Sequence, residues 1–533
     1  MKRFDLTILT TTDVHGYVLA KDYWTKESTE YGLVKVSTLI NEIRKRKKHV
    51  LYFDDGDLIQ GSPLEYHHAT VDNSGMDPSV RALNYMKCDA MTIGNHEFNF
   101  GREVMEKAIS EANFPVTSAN VVDKVTKKPK FGKGYTIFKF EDGPTVAYLS
   151  LTTKYIPFWE EPRHIRDLDF LDAIETARDY MKKLNFMGVD IVIIGYHGGL
   201  ERDPETSEVI AELTGENQGY EMAKTLKGVS AFIFGHQHKS FATKIDGVPV
   251  IMASSYAKAL GVIEMRLSHV DKWKVESTNV ELLTLEGVPQ DEKLVKMMVP
   301  YQSAVEKWLD EPIGEALGDF YVPDAMYART HETALVNLIN DVQLHYTGAD
   351  ISATSVFSPD VHGWKKGVIT RRNVMSVYVF SNTLKVFELT GKEIKEMMEH
   401  SATYFSYEDG QIIESGSMKG YKYNIFRGVS YIIDLQKPVG ERIVNVEKDG
   451  KPLEMNEKYT IAVNSYQGGG SGGYTMFIGK KPVKEINIEV ADLIVSYIKE
   501  KKFIKPQVDG SWKILQVFSN EMRNRERVEW VDR

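Results

Sequence analysis

Five short segments of the chain carry side chains that could bind metal ions. Each places aspartate, asparagine or histidine beside glycine or a second acidic residue, at 12–16, 54–57, 94–97, 196–199 and 235–238. Together they offer carboxylate oxygen, amide oxygen and imidazole nitrogen. This mixed set suits Mn, Zn, Fe or Co better than Ca or Mg, which prefer oxygen alone.

Seven of these side chains are candidate metal ligands: Asp13, His15, Asp57, Asn95, His197, His236 and His238. They are too many for one ordinary site, but they suffice for two ions if one carboxylate bridges them. In two-metal sites the ions lie about 3.5–4 Å apart and stabilise both the attacking and the leaving oxygen of a displacement. Bound cations also lower the pKa of water, so that it becomes a nucleophile at neutral pH. The set therefore predicts a two-metal hydrolase.

An apolar run precedes every one of the five segments, at 6–9, 50–53, 90–93, 191–194 and 231–234. Short apolar runs that end in glycine and aspartate predict buried strands that lead into loops. Open α/β folds carry their chemistry beyond the carboxyl ends of such strands. We therefore expect the candidate ligands to converge on one edge of one sheet.

Each segment taken alone has a simpler explanation. An Asp-x-His or Gly-Asn-His sequence is commonly a turn, and His197 could be a buried core histidine with its hydrogen bonds satisfied. The joint occurrence of all five, each at a strand end, favours the metal site. The remaining histidines fit none of the segments, and we interpret His67 and His68 as surface or lid residues.

Two longer strings make a family resemblance specific. Residues 55–63 (Asp-Gly-Asp-Leu-Ile-Gln-Gly-Ser-Pro) and 94–101 (Gly-Asn-His-Glu-Phe-Asn-Phe-Gly) resemble the 5′-nucleotidase family of calcineurin-like metallophosphoesterases. Within that family the chain resembles the bacterial 2′,3′-cyclic-nucleotide 2′-phosphodiesterase/3′-nucleotidases. Asp-Tyr-Trp at 22–24, the second histidine of the last segment and Asn99 favour that branch. The resemblance covers nearly the whole chain.

The resemblance implies roles for the site residues. Asp57 bridges two ions; Asp13, His15 and His238 complete one site, and Asn95, His197 and His236 complete the other. The catalytic candidates are His96, which stabilises the leaving group, and Asn99. Many 5′-nucleotidases carry an aspartate at that position, paired with the catalytic histidine. A carboxylate would raise the pKa of the imidazole, whereas a neutral amide would not.

The same resemblance implies the architecture. We predict an α/β fold in which a four-layer αββα metallophosphoesterase domain precedes a C-terminal α+β substrate domain of the 5′-nucleotidase type. The predicted boundaries are 1–288 for the catalytic domain, 289–325 for a helical connector interrupted by Pro300, and 326–533 for the nucleotide-binding domain.

A glycine-rich loop at 464–474 is the notable feature of the second half. Five glycines within six positions are expected to abolish regular structure and to permit close backbone approach. The loop could simply be flexible. The resemblance instead favours a substrate site that contains Tyr466 and Gly468, with Tyr423 as a second stacking ring, Tyr421 as its alternative, and Asn382 near the base or sugar.

Composition narrows the remaining possibilities. The 533 residues carry a net charge of −9, which argues against a nucleic-acid polymer as partner. The single cysteine, Cys88, excludes an internal disulfide. No signal-peptide pattern and no membrane-spanning apolar stretch are evident, so we expect a cytoplasmic protein, or a secreted or cell-wall protein if a leader has been trimmed.

The resemblance implies hydrolysis of 2′,3′-cyclic nucleotides to 3′-nucleotides, and of 3′-nucleotides to nucleosides, with two divalent ions (Mn, Zn, Fe or Co). One alternative is a 5′-nucleotidase or UDP-sugar hydrolase. Another is a nucleotide-binding or sensing protein without turnover. The oligomeric state and the native metal stay open.

Overall fold

The computed structural model describes residues 2–380 and 382–515, and it divides into two compact units between Trp308 and Leu309. The predicted connector, 289–325, contains the last helix of the first unit and the first strand of the second. The three predicted domain boundaries stay predictions. None of the helices in the described residues is both long and apolar enough to cross a membrane.

The first unit alternates strands and helices. Its strands are β1 Lys2–Thr11, β2 Val50–Asp54, β3 Ala90–Thr92, β4 Val116–Asp123, β5 Pro129–Phe131, β6 Tyr135–Lys139, β7 Thr145–Thr152, β8 Leu168–Phe170, β9 Ile191–His197, β10 Ala231–Phe234, β11 Ser240–Ile245, β12 Val248–Ala253, β13 Ala259–His269 and β14 Trp273–Thr284. Its helices are α1 Leu33–Arg46, α2 Pro63–Thr70, α3 Pro78–Met86, α4 Arg102–Glu111, α5 Pro162–Ile165, α6 Ala173–Phe186, α7 Gly219–Thr225 and α8 Glu292–Leu309.

These strands form two sheets. The first has the order β14-β13-β1-β2-β3-β4-β5, with β8 paired to β4, and β1 to β4 run parallel. The second has the order β11-β12-β10-β9-β7-β6, with β7, β9, β10 and β12 parallel. The candidate ligands therefore follow strands of both sheets, and the expectation of one edge of one sheet is wrong. Tertiary packing decides which strands become neighbours in a sheet, and local sequence patterns do not reveal this packing.

A hydrophobic core joins the two sheets. Leu6, Ile8 and Phe53 of the first sheet pack in one cluster with Tyr148 and Ile193 of the second. The Phe53 and Tyr148 rings stack with centroids 4.1 Å apart. A second cluster packs α6 and α7 on the outer face of the second sheet. Helix α1 packs against β13 of the first sheet and supplies the fourth layer, so the predicted four-layer αββα architecture is confirmed.

Two helices differ from the expectation. Helix α2 was not predicted, although Ser62 caps it and Pro63 occupies its first turn, both ordinary start signals. The helix buries His68, so the surface interpretation is wrong for that residue. Helix α8 runs without a break through Pro300, so the expected interruption is also wrong.

The second unit is α+β, as predicted. Its strands are β15 Pro312–Ala316, β16 Ile351–Ser355, β17 Gly367–Thr370, β18 Leu384–Thr390, β19 Phe405–Glu408, β20 Gln411–Glu414, β21 Asn424–Arg427, β22 Ser430–Ile433, β23 Ile443–Lys448, β24 Lys451–Pro452, β25 Lys458–Asn464, β26 Lys484–Ile486, β27 Phe503–Ile504 and β28 Trp512–Ile514. Its helices are α9 Ala325–Thr330, α10 Ala334–Thr347, α11 Arg371–Val377, α12 Gly391–Ala402, α13 Ser465–Gly468 and α14 Val490–Lys501.

A five-stranded sheet, β21-β16-β25-β18-β26, organises this unit. The glycine-rich loop leaves its β25 strand and immediately forms α13, whose first turn is capped by the Asn464 side chain. The backbone after Gly468 is irregular, because Gly470, Gly472 and Gly473 all have positive φ. Regular structure therefore ends at the first of the five glycines, in agreement with the expectation.

Candidate metal centre

The candidate ligands lie on strained backbone just beyond the strands. Five of the seven have positive φ: Asp13 (50°), His15 (51°), Asp57 (56°), His236 (73°) and His238 (56°). Such conformations are uncommon for residues other than glycine, and they cluster at functional sites. The strain turns the side chains of successive loops toward one centre.

One group of ligand atoms comes from Asp13, His15 and His238. His15 Nε2 lies 2.9 Å from His238 Nε2, which in turn lies 3.5 Å from Asp13 Oδ1. Burial lowers the pKa of His15 to about 4, and the neighbouring His238 adds to the effect. Burial also lowers the pKa of His238 to about 4. Both imidazoles are therefore neutral at pH 7, the form that binds a metal ion.

A second group comes from Asp57, His197 and His236, and it includes Asn95 through a hydrogen bond. His197 Nε2 lies 3.0 Å from Asp57 Oδ2, and Asn95 Oδ1 lies 2.8 Å from His236 Nδ1. Burial acts to raise the pKa of Asp57, but the charge of His197 holds it well below its usual value. Conversely, burial acts to lower the pKa of His197, and Asp57 raises it well above the usual value.

The two groups meet at Asp57. Its Oδ2 atom lies 3.0 Å from His197 Nε2 in one group and 3.9 Å from His15 Nε2 in the other. Both Asp57 Oδ2 and His197 Nε2 are buried, and within the part of the chain that the structure describes neither has a hydrogen-bond partner apart from their mutual contact at 3.0 Å. A divalent cation would satisfy both atoms. The donor set and these buried atoms fit a centre for divalent metal ions.

Backbone carbonyls fix which nitrogen of each imidazole faces the centre. His15 Nδ1 lies 2.8 Å from the Gln60 carbonyl, and His197 Nδ1 lies 2.5 Å from the Asp55 carbonyl. In each ring the Nδ1–H donates outward, which leaves Nε2 free to bind an ion. His236 is held differently, because its Nε2 lies 2.9 Å from Glu216 Oε1.

Glycines permit the close approach of the loops. A Cβ atom at Gly94 would lie 2.3 Å from Asp57 Oδ1, and one at Gly235 would lie 2.3 Å from Thr12 Oγ1. The Glu97 carboxylate links the loops that follow β2 and β3, since it accepts hydrogen bonds from the Asp57, Leu58 and Gly94 amides. Glu97 and Glu216 were missed by the sequence analysis. The position of Glu97 directly after His96 was an available signal, whereas nothing local marks Glu216.

His96 faces the metal groups without belonging to either. Its Nε2 lies 4.0 Å from Asp57 Oδ2, and its backbone amide donates to Asp57 Oδ1 at 2.8 Å. On the opposite side of the ring, Nδ1 lies 2.6 Å from Asn99 Oδ1. The two catalytic candidates are therefore in direct contact.

The candidate base-binding residues belong to the second unit. Tyr423 is 1% exposed, and its ring packs against Tyr404 and Phe405, with centroids 5.3 and 4.9 Å away. This burial argues against Tyr423 as a stacking surface. The alternative, Tyr421, is 38% exposed and lies 6.1 Å from the Phe380 ring.

The other three candidates are placed as follows. Tyr466 is half-buried in α13, and Gly468 at the end of that helix is buried. A Cβ atom at Gly468 would lie 2.9 Å from the Phe387 ring. Asn382 is half-buried, and its carbonyl accepts a hydrogen bond from the Val490 amide at 2.9 Å. Their roles in binding a nucleotide stay predictions.

The protonation of the second group leads to a prediction about metal binding. At pH 7 the metal-free protein should carry a proton on His197, and an incoming ion must displace it. We expect Mn²⁺ binding to release about one proton per chain from this residue. Titration calorimetry in buffers of different ionisation enthalpy measures that number. A binding enthalpy that is independent of the buffer would contradict the predicted charge state.

Comparison with known proteins identifies relatives for both units. The calcineurin-like phosphoesterase model matches residues 6–240, and the model of the 5′-nucleotidase C-terminal domain matches residues 312–479. The chain is 28% identical to the 2′,3′-cyclic-nucleotide 2′-phosphodiesterase/3′-nucleotidase of Salmonella typhimurium, over 97% of this chain and 90% of that relative.

Two further relatives are informative. The trifunctional nucleotide phosphoesterase protein YfkN of Bacillus subtilis is 27% identical over 96% of this chain, which spans only 39% of that longer protein. A Staphylococcus aureus protein, provisionally described as a 5′-nucleotidase and crystallised with α-ketoglutarate, is 30% identical. Its structure superimposes with a TM-score of 0.87 and covers 96% of this chain and 100% of its own.

Proposed function

We propose that this chain, which belongs to the 5′-nucleotidase family of calcineurin-like phosphoesterases, hydrolyses 2′,3′-cyclic nucleotides to 3′-nucleotides and then 3′-nucleotides to nucleosides. The observation that carries the proposal is the pair of ligand groups that meet at Asp57. The named activity of the Salmonella typhimurium relative supports the choice of substrate.

Seven side chains would hold two ions. Asp13, His15 and His238 would hold one ion, Asn95, His197 and His236 would hold the other, and Asp57 would serve both. The bound ions supply Lewis acidity and lower the pKa of water. We propose Mn, Zn, Fe or Co as the metal, because imidazole nitrogen contributes most of the ligands.

His96 assists the departure of the leaving group. Its Nε2 points toward Asp57, so it faces the place where a phosphoester would lie between the ligand groups. As the oxygen of a water molecule forms a bond to phosphorus, the P–O bond to the leaving oxygen breaks and the proton on His96 Nε2 passes to that oxygen. A positioned general acid contributes roughly 10²–10⁴-fold to rate.

A comparison of substrates tests the proposed function. The Mn-loaded protein is assayed with 2′,3′-cyclic AMP, 3′-AMP, 5′-AMP and a UDP-sugar, and the Asp57→Asn variant serves as a control for contaminating nucleotidases. We expect the highest kcat/KM on 2′,3′-cyclic AMP, followed by 3′-AMP. A preference for 5′-AMP would instead support a 5′-nucleotidase, the description given to the Staphylococcus aureus relative. Binding without turnover of any substrate would support a sensing protein.

Tyr466→Ala is expected to weaken nucleotide turnover while it spares a small nitrophenyl phosphodiester. An aromatic ring stacked on a base is worth roughly 1–3 kcal/mol whichever base is present. The loss in kcat/KM should therefore be similar for adenine and uracil substrates, about 5- to 150-fold.

Tyr421→Ala is the matched variant, since it removes the alternative exposed ring of the same unit. If Tyr466→Ala impairs the small diester as strongly as the nucleotides, Tyr466 is structural. If it impairs neither, the base is bound elsewhere in the protein.

A further inference from the structure

Asn99, the partner of His96, is itself held by a carboxylate from a distant part of the chain. Its Nδ2 donates to Glu160 Oε2 at 2.8 Å. Glu160 lies between the 3-10 turn Ile156–Phe158 and α5, and its side chain is only 4% exposed. The other carboxylate oxygen, Oε1, accepts from the Glu161 amide at 2.8 Å and lies 2.7 Å from His164 Nδ1. Glu160 is therefore fixed in place from both sides.

An ionised carboxylate can only accept hydrogen bonds, whereas an amide can both donate and accept. Glu160 therefore forces the NH₂ group of Asn99 to face the Glu160 carboxylate. The Oδ1 atom of Asn99 must then face His96. Because Oδ1 can only accept, His96 Nδ1 must carry a hydrogen at their 2.6 Å contact. A proton that His96 gains or gives up is then confined to Nε2, the nitrogen on the side of Asp57.

We propose that Glu160 is a positioning residue that acts through Asn99 to set the hydrogen-bond direction, and hence the tautomer, of His96. The inference rests on the proposed hydrolase function, in which His96 Nε2 gives its proton to the leaving oxygen and the ring keeps the proton on Nδ1.

The E160Q variant removes the forced direction, because a glutamine amide can donate as well as accept. The Asn99 amide can then rotate and present its NH₂ group to His96. We expect kcat on 2′,3′-cyclic AMP to fall on the order of 10-fold or more, by analogy with the hydrogen-bond partners that orient metal-binding histidines. A nitrophenyl phosphodiester should be affected much less, because its leaving group needs little protonation.

Exchanging the two side-chain types provides the decisive comparison. In the N99D/E160Q double variant a carboxylate accepts directly from His96 Nδ1, and the glutamine amide can donate to it. His96 Nδ1 again donates to an oxygen of residue 99, although the hydrogen bond between residues 99 and 160 is reversed, so kcat should return to within a few-fold of wild type. N99D alone places two carboxylates at a contact of 2.8 Å, where like charges repel, and should stay impaired.

E161Q is the matched control. Glu161 lies in the same loop, but its side chain pairs with Arg163 at 2.6 Å and not with Asn99, so no change is expected. A second readout is independent of turnover. Imidazole ¹⁵N shifts of the Zn-loaded protein, assigned with H96Q, should show His96 protonated at Nδ1 in wild type and a mixture of tautomers in E160Q.

The outcomes separate this inference from the proposed function. Wild-type activity in E160Q, or equal losses on both esters without rescue by the double variant, would overturn the role of Glu160 and leave the hydrolase intact. An inactive wild type would contradict the proposed function, and the ¹⁵N shifts would still support or refute the tautomer assignment.

Discussion

Asp57→Asn is expected to abolish most activity and to lower metal occupancy at both sites. The Asp57 Oδ2 atom lies within 4 Å of a histidine from each ligand group, so its charge serves two ions. An amide oxygen carries no net charge and binds cations more weakly. Metal chemistry is worth several kcal/mol of transition-state stabilisation, so the fall in kcat should be on the order of 10³-fold.

Metal analysis after gel filtration measures the occupancy of this variant. Asp142→Asn is the control, because Asp142 is an exposed carboxylate of the same unit that pairs with Lys2 at 3.0 Å. Two tightly bound ions and full activity in Asp57→Asn would show that this carboxylate does not bridge the ions.

His96→Ala is expected to reduce the rate while the protein keeps both metal ions. The ring contacts Asn99 and faces Asp57, but it belongs to neither ligand group. Loss of a general acid should lower kcat on nucleotides by roughly 10²–10⁴-fold. The loss should shrink on nitrophenyl esters, whose leaving group departs without protonation.

Steady-state kinetics on both ester types, with metal content measured on the same samples, tests this role. His331→Ala replaces an exposed histidine of the second unit and should leave both quantities unchanged. If His96→Ala loses an ion, His96 is a ligand. An equal rate loss on all esters would argue that it does not assist the leaving group.

The elements that carry the site were predictable because their signals are local. Short apolar runs ending in glycine or aspartate defined β2, β3, β9 and β10, and their ends carry the candidate ligands. The division into two sheets was not predictable in this way. It depends on which strands become neighbours, and β7 lies beside β9 because the intervening helix α6 packs on their outer face.

Only the residues of the candidate site that lie in sequence motifs could be predicted from the sequence. Asp57, Asn95 and His96 lie in recognisable sequence motifs. Glu160 is separated from Asn99 by about 60 residues and belongs to no motif. Its role depends on the direction of a hydrogen bond, which only the folded chain shows. The burial of Tyr423 was not predictable for a related reason, since a tyrosine in a sequence does not reveal that Tyr404 and Phe405 cover its ring.

The central claim is that two divalent cations bind side by side and share Asp57. Anomalous diffraction from crystals of the Mn-loaded protein, collected at the manganese absorption edge, locates the ions directly. The account predicts two peaks about 3.5–4 Å apart, on either side of the Asp57 carboxylate, one near Asp13, His15 and His238 and the other near Asn95, His197 and His236. A single peak, or two peaks that do not share Asp57, would contradict it.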